Sequence, residues 1–224
     1  MKPQVDVVSH GPHCLDGVVA AVAVARYYAG VTQVTAHFAS NSEVDTVLRG
    51  LTPEAELWIT DISWRDSATD AHLRALVAAG VHVYWIDHHR TALERFRSGT
   101  IDVPFTDRVL SEDFAASRLV YEYLGQRLTA EGRTVPAFDR LAPVVAMADD
   151  NDRWLHRIPG SRELAWTVRT LGAEAYGELC DIDEGVSYTP RMRAARAAVE
   201  AEIARSFAVA EASRSERRVG TWSW

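Results

Sequence analysis

Short apolar runs alternate with helical patterns along the first half of the chain. The runs are rich in β-branched or aromatic residues and end in polar ones, which is typical of buried strands. The segments between them have helical spacing, loosely in the second case, and each ends in glycine. This alternation predicts βαβ units and a parallel sheet with right-handed crossovers. The predicted strands are residues 5–9, 34–38, 56–62 and 81–87, and the predicted helices between them are 15–30 and 65–80.

The pattern becomes helical from about Asp113 onward. We predict an α/β fold with a Rossmann-like parallel sheet flanked by helices, followed by a helical segment and a long C-terminal connector helix. The last ten residues, SERRVGTWSW, carry no pattern that predicts an element. The predicted helices are 114–128, 138–148, 161–179 and 189–211.

Composition narrows the class of protein. With 224 residues and 47% hydrophobic content, the chain can bury one substantial core. It has no run of about 18 apolar residues, so we predict no membrane span. The beginning lacks the features of a secretory signal, and two cysteines suit a reducing compartment, so we expect a cytoplasmic location. A net charge of −7 argues against coating long nucleic acid, although a local basic pocket remains allowed.

Acidic and histidine residues follow three of the predicted strands. His10, His13 and Asp16 follow the first strand, Asp61 ends the third, and Asp87-His88-His89-Arg90 ends the fourth. Taken singly, each could have only a structural role, as a helix cap, a turn residue or an exposed histidine pair without a function. Together they would meet at the carboxyl edge of one parallel sheet, where α/β proteins bind ligands. Half-buried carboxylates and imidazoles need partners there, and a shared cation is the simplest one.

These residues resemble the motifs of the DHH superfamily of phosphoesterases. The first motif of that family has the form His-x-Asp-x-Asp-Gly or a longer relative, which His10 and Asp16-Gly17 resemble. Asp61 is similar to the second motif and Asp87-His88-His89 to the third. The stretch AMADDNDRWLHRIPG, residues 146–160, resembles the fourth motif of the oligoribonuclease-like branch. We take Asp149 as its ligand, with Asp150 and Asp152 as alternatives.

The resemblance implies two divalent metal ions, with Mn²⁺ first and Co, Fe, Zn or Mg as alternatives. It also implies a role for each residue. Asp61 would bridge the ions, and His89 would contact the substrate phosphate, with Arg90 as a second cation. Asp87 would not bind metal itself but would orient a histidine by a hydrogen bond. The predicted catalytic residues are therefore Asp87 and His89. The predicted metal ligands are His10, His13, Asp16, Asp61, His88 and Asp149.

Two departures from the family pattern bear on function. His13 stands where the family usually has an aspartate; it either binds the metal through its ring or points outward. The neighbouring Cys14 could bind metal or oxidise, but such cysteines more often pack against a sheet. In addition, the glycine-rich signature of the family's C-terminal domain is absent after Arg191. We therefore expect a catalytic domain at 1–188 and a connector helix with a tail at 189–224, from either a truncated sequence or a stand-alone domain.

The sequence thus predicts a metal-dependent phosphodiesterase that hydrolyses short oligonucleotides or related small phosphate esters. One alternative is a non-catalytic or regulatory DHH-fold binding protein, and another is an inorganic pyrophosphatase-like phosphohydrolase. The C-terminal helix could dock on a partner protein or on a second copy as a homodimer.

Overall fold

The computed structural model describes residues 4–182 and 186–214. Five parallel strands form one sheet in the order β2-β1-β3-β4-β5. The chain leaves β1 to one side for β2 and returns to the other side for β3. Such a reversal opens a crevice at the carboxyl ends of the strands. The strands are β1 (Val5–His10), β2 (Val34–Ala39), β3 (Glu56–Thr60), β4 (His82–Asp87) and β5 (Asp107–Leu110).

Helices cover both faces of the sheet and continue beyond it. A 3₁₀ turn, Gly172–Glu174, lies among the helices of the second half. The helices of the first half are α1 (Leu15–Tyr27), α2 (Val44–Gly50), α3 (Ser67–Ala78) and α4 (Arg90–Arg97). Those of the second half are α5 (Ala116–Ala130), α6 (Pro136–Asp139), α7 (Ala142–Asp152), α8 (Ser161–Leu171), α9 (Ala175–Cys180) and α10 (Pro190–Ala212).

The strands β3 and β4 alternate their side chains between two cores. Trp58 and Tyr84 face the larger core, which contains α1 and α5, and their rings stack with centroids 4.1 Å apart. Ile59 and Trp85 face the smaller core, with residues of α2, α3 and α4. A parallel sheet buried on both faces explains why the strands are almost continuously apolar in sequence.

The predicted fold class is confirmed: this is a parallel sheet flanked by helices. Two predicted helices are nevertheless broken. The 138–148 prediction ignored Pro143, which cannot stand inside a helix, so a new helix, α7, begins at Ala142. The 161–179 prediction is broken at Gly172, whose positive φ of 55° ends α8. The prediction also missed β5, a short edge strand without an apolar pattern, together with α2 and α4.

The long helix α10 matches the predicted connector. Thr189 caps it by accepting a hydrogen bond from the Met192 amide at 3.1 Å, and Met192 is its one buried residue. Most of the helix is exposed, including Phe207. The expected division at residue 188 remains a prediction, and the tail 215–224 lies outside the described residues. Among the described residues, every helix is too short or too polar to cross a membrane.

Candidate metal centre

Three neighbouring strands bring their polar ends together at the crevice. His10 ends β1, Asp61 follows β3, and His88 follows β4. The amide of Asp61 donates to the carbonyl of Ile86 at 3.0 Å, which continues the β3–β4 ladder by one residue. Asp61 itself has a φ of 57°, in the left-handed region that L residues rarely adopt but aspartate tolerates better than most. This turn directs a buried carboxylate into the crevice.

The helix α1 approaches the end of β1 unusually closely. A Cβ atom on Gly17 would lie 2.0 Å from the carbonyl oxygen of His10, so only glycine fits there. The hydroxyl of Ser9 donates to the Gly17 carbonyl at 2.7 Å and accepts from the Thr60 hydroxyl at 2.9 Å. This buried network joins β1, β3 and α1, and it brings Asp16 to the edge of the sheet.

The carboxylate of Asp61 divides its two oxygens between two groups of side chains. Its Oδ2 lies 3.6 Å from His10 Nδ1 and 3.6 Å from Cys14 Sγ. Its Oδ1 lies 3.3 Å from His88 Nε2. Asp61 thus presents a different carboxylate oxygen to each of the two groups.

Among the described residues, three overlapping groups of side chains could each hold a metal ion, and one of them, Asp61, His88 and His89, shares residues with both of the others. His10, Cys14 and Asp61 form the first subsite, with one ligand atom from each within 4.8 Å of the others. Asp16, His88 and Asp152 form the second subsite by the same measure. His88 Nε2 lies 3.7 Å from Asp16 Oδ2 and 3.6 Å from Asp152 Oδ2. Carboxylate oxygens, imidazole nitrogens and a sulfur fit a divalent transition metal, so these residues fit the implied ions.

The pKa values of these residues are shifted by burial and by the charged groups close to them. Burial would raise the pKa of Asp61, but the His10 and His88 rings beside the carboxylate outweigh burial and lower the pKa to about 2. Burial and the charge of Asp61 raise the pKa of Asp16 well above its usual value. Burial alone would lower the pKa of His88, but Asp61 and Asp16 raise it to about 9. The imidazolium of His88 therefore neutralises carboxylates that a metal ion would otherwise neutralise.

Behind the cluster, Asp87 holds His89. Its Oδ1 accepts hydrogen bonds from the amides of His88 and His89 and from His89 Nδ1, the last at 2.7 Å. The bond to the ring raises the pKa of His89. The Nδ1 of His89 also lies 3.9 Å from Asp61, but its bond to Asp87 occupies that nitrogen. This leaves Nε2 of a half-exposed ring for another partner. The Oδ2 of Asp87 is buried without a hydrogen-bond partner among the described residues.

The first turn of α5 is capped by carboxylates from distant helices. Asp16 accepts hydrogen bonds from the amides of Ala116 and Ser117 at 2.9 and 2.8 Å. Asp149 accepts one from the amide of Ala115 at 2.8 Å. Helix amides are left without intrahelical partners at this end, and the helix dipole favours negative charge there. The start of α5 thus fixes the orientation of the Asp16 carboxylate.

Three residues predicted at the site lie outside the cluster. Asp149 binds the start of α5 and lies 3.3 Å from Arg118, so Asp152 takes the place expected for Asp149. His13 points away, with Nδ1 2.9 Å from the carbonyl of Arg169. The side chain of Arg90 is 77% exposed and donates to Glu94 at 2.8 Å. In each case a nearer hydrogen-bond partner holds the side chain elsewhere.

The structure instead brings Cys14 into the first subsite. The sequence held a signal for this position. In the form His-x-Asp-x-Asp-Gly, the middle aspartate stands two residues before the last, and two residues before Asp16 is Cys14. The sequence interpretation placed the departure at His13, one residue too early.

A cleft of about 360 Å³ adjoins the second subsite, with Asp16 and Asp152 in its wall. We call it the tryptophan cleft, after Trp154 and Trp166, which are 78% and 36% exposed. The Arg162 guanidinium lies 5.7 Å from the centre of the Trp166 ring. The sequence interpretation gave neither tryptophan a role: Trp154 lies in the polar stretch 146–160, and Trp166 lies among apolar residues of a predicted helix.

Comparison with known proteins supports the fold. No family model matches the chain, and no curated protein matches it in sequence. Among solved structures, RecJ from Thermus thermophilus, in complex with Mn²⁺, matches it with a TM-score of 0.55 at 17% sequence identity. The match covers 94% of this chain and 36% of the RecJ chain, so this chain spans about a third of RecJ's length. This chain therefore shares the α/β fold of that part of RecJ.

Proposed function

We propose that this protein is a metal-dependent phosphodiesterase that hydrolyses short oligonucleotides at the centre built on Asp61. The observation that carries the proposal is the pair of ligand groups that face the two oxygens of this one buried carboxylate. Two divalent ions, with Mn²⁺ first, would supply a clamp for a phosphoryl group and a bound water of lowered pKa. His10, Asp16, His88 and Asp152 would hold the ions together with Asp61.

The residues around the ions would orient the substrate. His89 is 45% exposed, and Asp87 fixes its ring through Nδ1, so Nε2 can donate to a phosphate oxygen. In this role, Asp87 is a positioning residue and His89 is a catalytic one. Arg90 has its own exposed partner, Glu94, and we assign it no contact with the phosphate.

The tryptophan cleft supports a nucleotide substrate over a simple phosphate. Exposed tryptophans stack with nucleobases of any sequence, each stack contributing about 1–3 kcal/mol. Arg162 and Arg169 lie in the same wall and can neutralise phosphates. Both ring nitrogens of His156 are buried without a hydrogen-bond partner among the described residues, and His156 also lines the cleft. A base in the cleft with its phosphate at the metal subsites would use all of these groups.

Size and charge favour a short substrate. The cleft accommodates one or a few nucleotides, and the net charge of −7 opposes a long polyanion. Since the salt dependence of binding scales with the number of neutralised phosphates, we expect a shallow salt slope.

The test is a turnover assay of the full chain with Mn²⁺ on five substrates. These are bis-p-nitrophenyl phosphate, a dinucleotide, a trinucleotide, a long single strand and pyrophosphate. We expect the di- and trinucleotide to be cleaved fastest. Asp61→Asn should reduce turnover by at least about 100-fold, since loss of even an outer hydrogen-bond partner of a metal ligand costs 10- to 100-fold. Asp102→Asn is the matched control, because Asp102 is exposed in the loop before β5.

Each other outcome would contradict part of the proposal. If the long strand were cleaved fastest, the proposed activity would be that of a single-strand exonuclease. If pyrophosphate were cleaved fastest, it would be that of a pyrophosphatase. Full activity in Asp61→Asn would remove the centre from the reaction. No turnover with Mn²⁺ bound would leave a metal-binding protein without phosphodiesterase activity.

A further inference from the structure

We infer that Cys14 is a thiolate ligand of the first subsite, which makes the two metal positions chemically different. The inference rests on the proposed metal centre and goes beyond it by assigning a soft metal, such as Zn²⁺ or Co²⁺, to one position. The first subsite offers nitrogen, sulfur and oxygen from His10, Cys14 and Asp61. The second offers only nitrogen and oxygen, from Asp16, His88 and Asp152.

The surroundings of Cys14 are those of a metal ligand and not those of a cysteine that packs in a core. Cys180, the other cysteine, packs against the larger hydrophobic core. Cys14 does not; its Sγ lies 3.6 Å from Asp61 Oδ2, and it lines both the tryptophan cleft and a second cavity with His10. It also stands at the N-cap of α1, where its side chain makes no capping hydrogen bond. Its thiol is therefore directed at the carboxylate that bridges the two subsites.

The surrounding chain holds this geometry in place. Cys14 lies two residues before Asp16, whose carboxylate is fixed by the amides of Ala116 and Ser117. On the other side, Gly17 packs directly against the carbonyl of His10. The distance between Cys14 and His10 is thus set by the same close contact that joins α1 to β1.

A sulfur ligand changes which ion binds. Thiolate selects Zn²⁺, Co²⁺ or Fe²⁺, whereas carboxylate and water suit Mn²⁺ and Mg²⁺. On binding, the thiol proton is released to solvent and the sulfur lone pair forms the bond to the metal. We therefore expect a mixed preference, with a soft ion beside Cys14 and Mn²⁺ beside Asp16.

The experiment uses Co²⁺ as the probe on the full chain, because a thiolate bound to Co²⁺ gives a near-ultraviolet charge-transfer band that oxygen and nitrogen ligands do not give. We expect the band in the wild type and in Cys180→Ser, and its loss in Cys14→Ser. Cys14→Asp supplies a second readout: it should retain the metal but lower the ratio of Zn²⁺ to Mn²⁺ affinity by at least about tenfold.

Equilibrium dialysis separates the two ways to fail. If Co²⁺ binds at two equivalents and the wild type shows no thiolate band, Cys14 is not a ligand, and the proposed centre stands without it. A band that survives in Cys14→Ser, or an unchanged Zn²⁺ to Mn²⁺ ratio in Cys14→Asp, also overturns the inference. If no Co²⁺ binds, both the inference and the proposed metal centre are wrong.

Discussion

Two glycines inside helices provide a matched test of the contact that holds the metal centre. Gly17 lies in the first turn of α1, and Gly125 lies within α5. Alanine is more favourable than glycine in a helix interior by about 0.8–1 kcal/mol. Helix propensity alone therefore predicts that Gly17→Ala and Gly125→Ala both stabilise the protein.

The surroundings of the two glycines predict opposite signs. A Cβ on Gly125 would meet only a Phe138 ring carbon, at 3.9 Å, which is an ordinary contact. A Cβ on Gly17 would lie 2.0 Å from the His10 carbonyl oxygen and 3.0 Å from Asp61 Oδ2. Since real Cβ atoms essentially never approach within 3.0 Å, the first distance must grow from 2.0 to at least 3.0 Å. The helix α1 must therefore move away from β1 by an amount that disturbs both subsites.

Urea unfolding measures the first consequence. We expect Gly17→Ala to lower the free energy of unfolding by about 1–3 kcal/mol, as overpacking does. Gly125→Ala should raise it by about 0.4–1 kcal/mol. Mn²⁺ titration measures the second consequence, and there Gly17→Ala should bind at least about tenfold more weakly. A Gly17→Ala protein as stable as Gly125→Ala, with wild-type Mn²⁺ affinity, would show that the contact between α1 and β1 does not hold the metal centre.

Three further predictions test other parts of the structure. Trp154→Ala should weaken dinucleotide binding by about 5- to 150-fold, the contribution of one stacked base, without changing the melting temperature. The control is Phe207→Ala, because Phe207 is similarly exposed on α10. Equal effects of the two substitutions on binding would show that the tryptophan cleft does not bind the base. Asp152→Ala should remove metal from the second subsite with little change in stability. Asp149→Ala should retain the metal but lower the free energy of unfolding by about 1–3 kcal/mol, because the Ala115 amide at the start of α5 loses its acceptor. Dialysis and urea unfolding distinguish the two, and the reverse pattern would restore Asp149 as the ligand. Burial would raise the pKa of Asp45, but hydrogen bonds from a threonine hydroxyl and two amides outweigh it and lower the pKa. Its stabilising effect is present above the unfolded pKa and lost as pH falls through the folded one, so Asp45→Asn should flatten the acid side of the stability curve; an unchanged slope would show that these bonds do not depend on the charge.

The strands and their polar ends could be predicted from the sequence because both are local patterns. Four of the five strands are short runs of mainly apolar residues, a pattern that burial of a parallel strand requires. A polar residue at the carboxyl end of a parallel strand lies at one edge of the sheet, so the sequence was enough to assign His10, Asp61 and His88 to that edge. The fifth strand, Asp107–Leu110, could not be predicted, since an exposed edge needs no apolar pattern.

The choice between neighbouring residues depended on tertiary contacts. His13 and Cys14 are adjacent in one loop, and either side chain could have faced Asp61. The loop is oriented by the contact of Gly17 with β1 and by a hydrogen bond of His13 to the Arg169 carbonyl on α8. That carbonyl is distant in sequence, and no local pattern reports its position.

Local sequence was sufficient for the α/β alternation, the polar strand ends and the presence of an acidic group in the fourth motif, because each is set by residues near it in the chain. The choice between Asp149 and Asp152 required the folded chain. The two residues are three positions apart on α7, so they lie on the same side of the helix. Their spacing therefore does not show which of them is the metal ligand. The amide of Ala115, at the start of α5, donates a hydrogen bond to Asp149, and this leaves Asp152 to face His88. Which carboxylate reaches the centre is therefore decided by where a different helix begins.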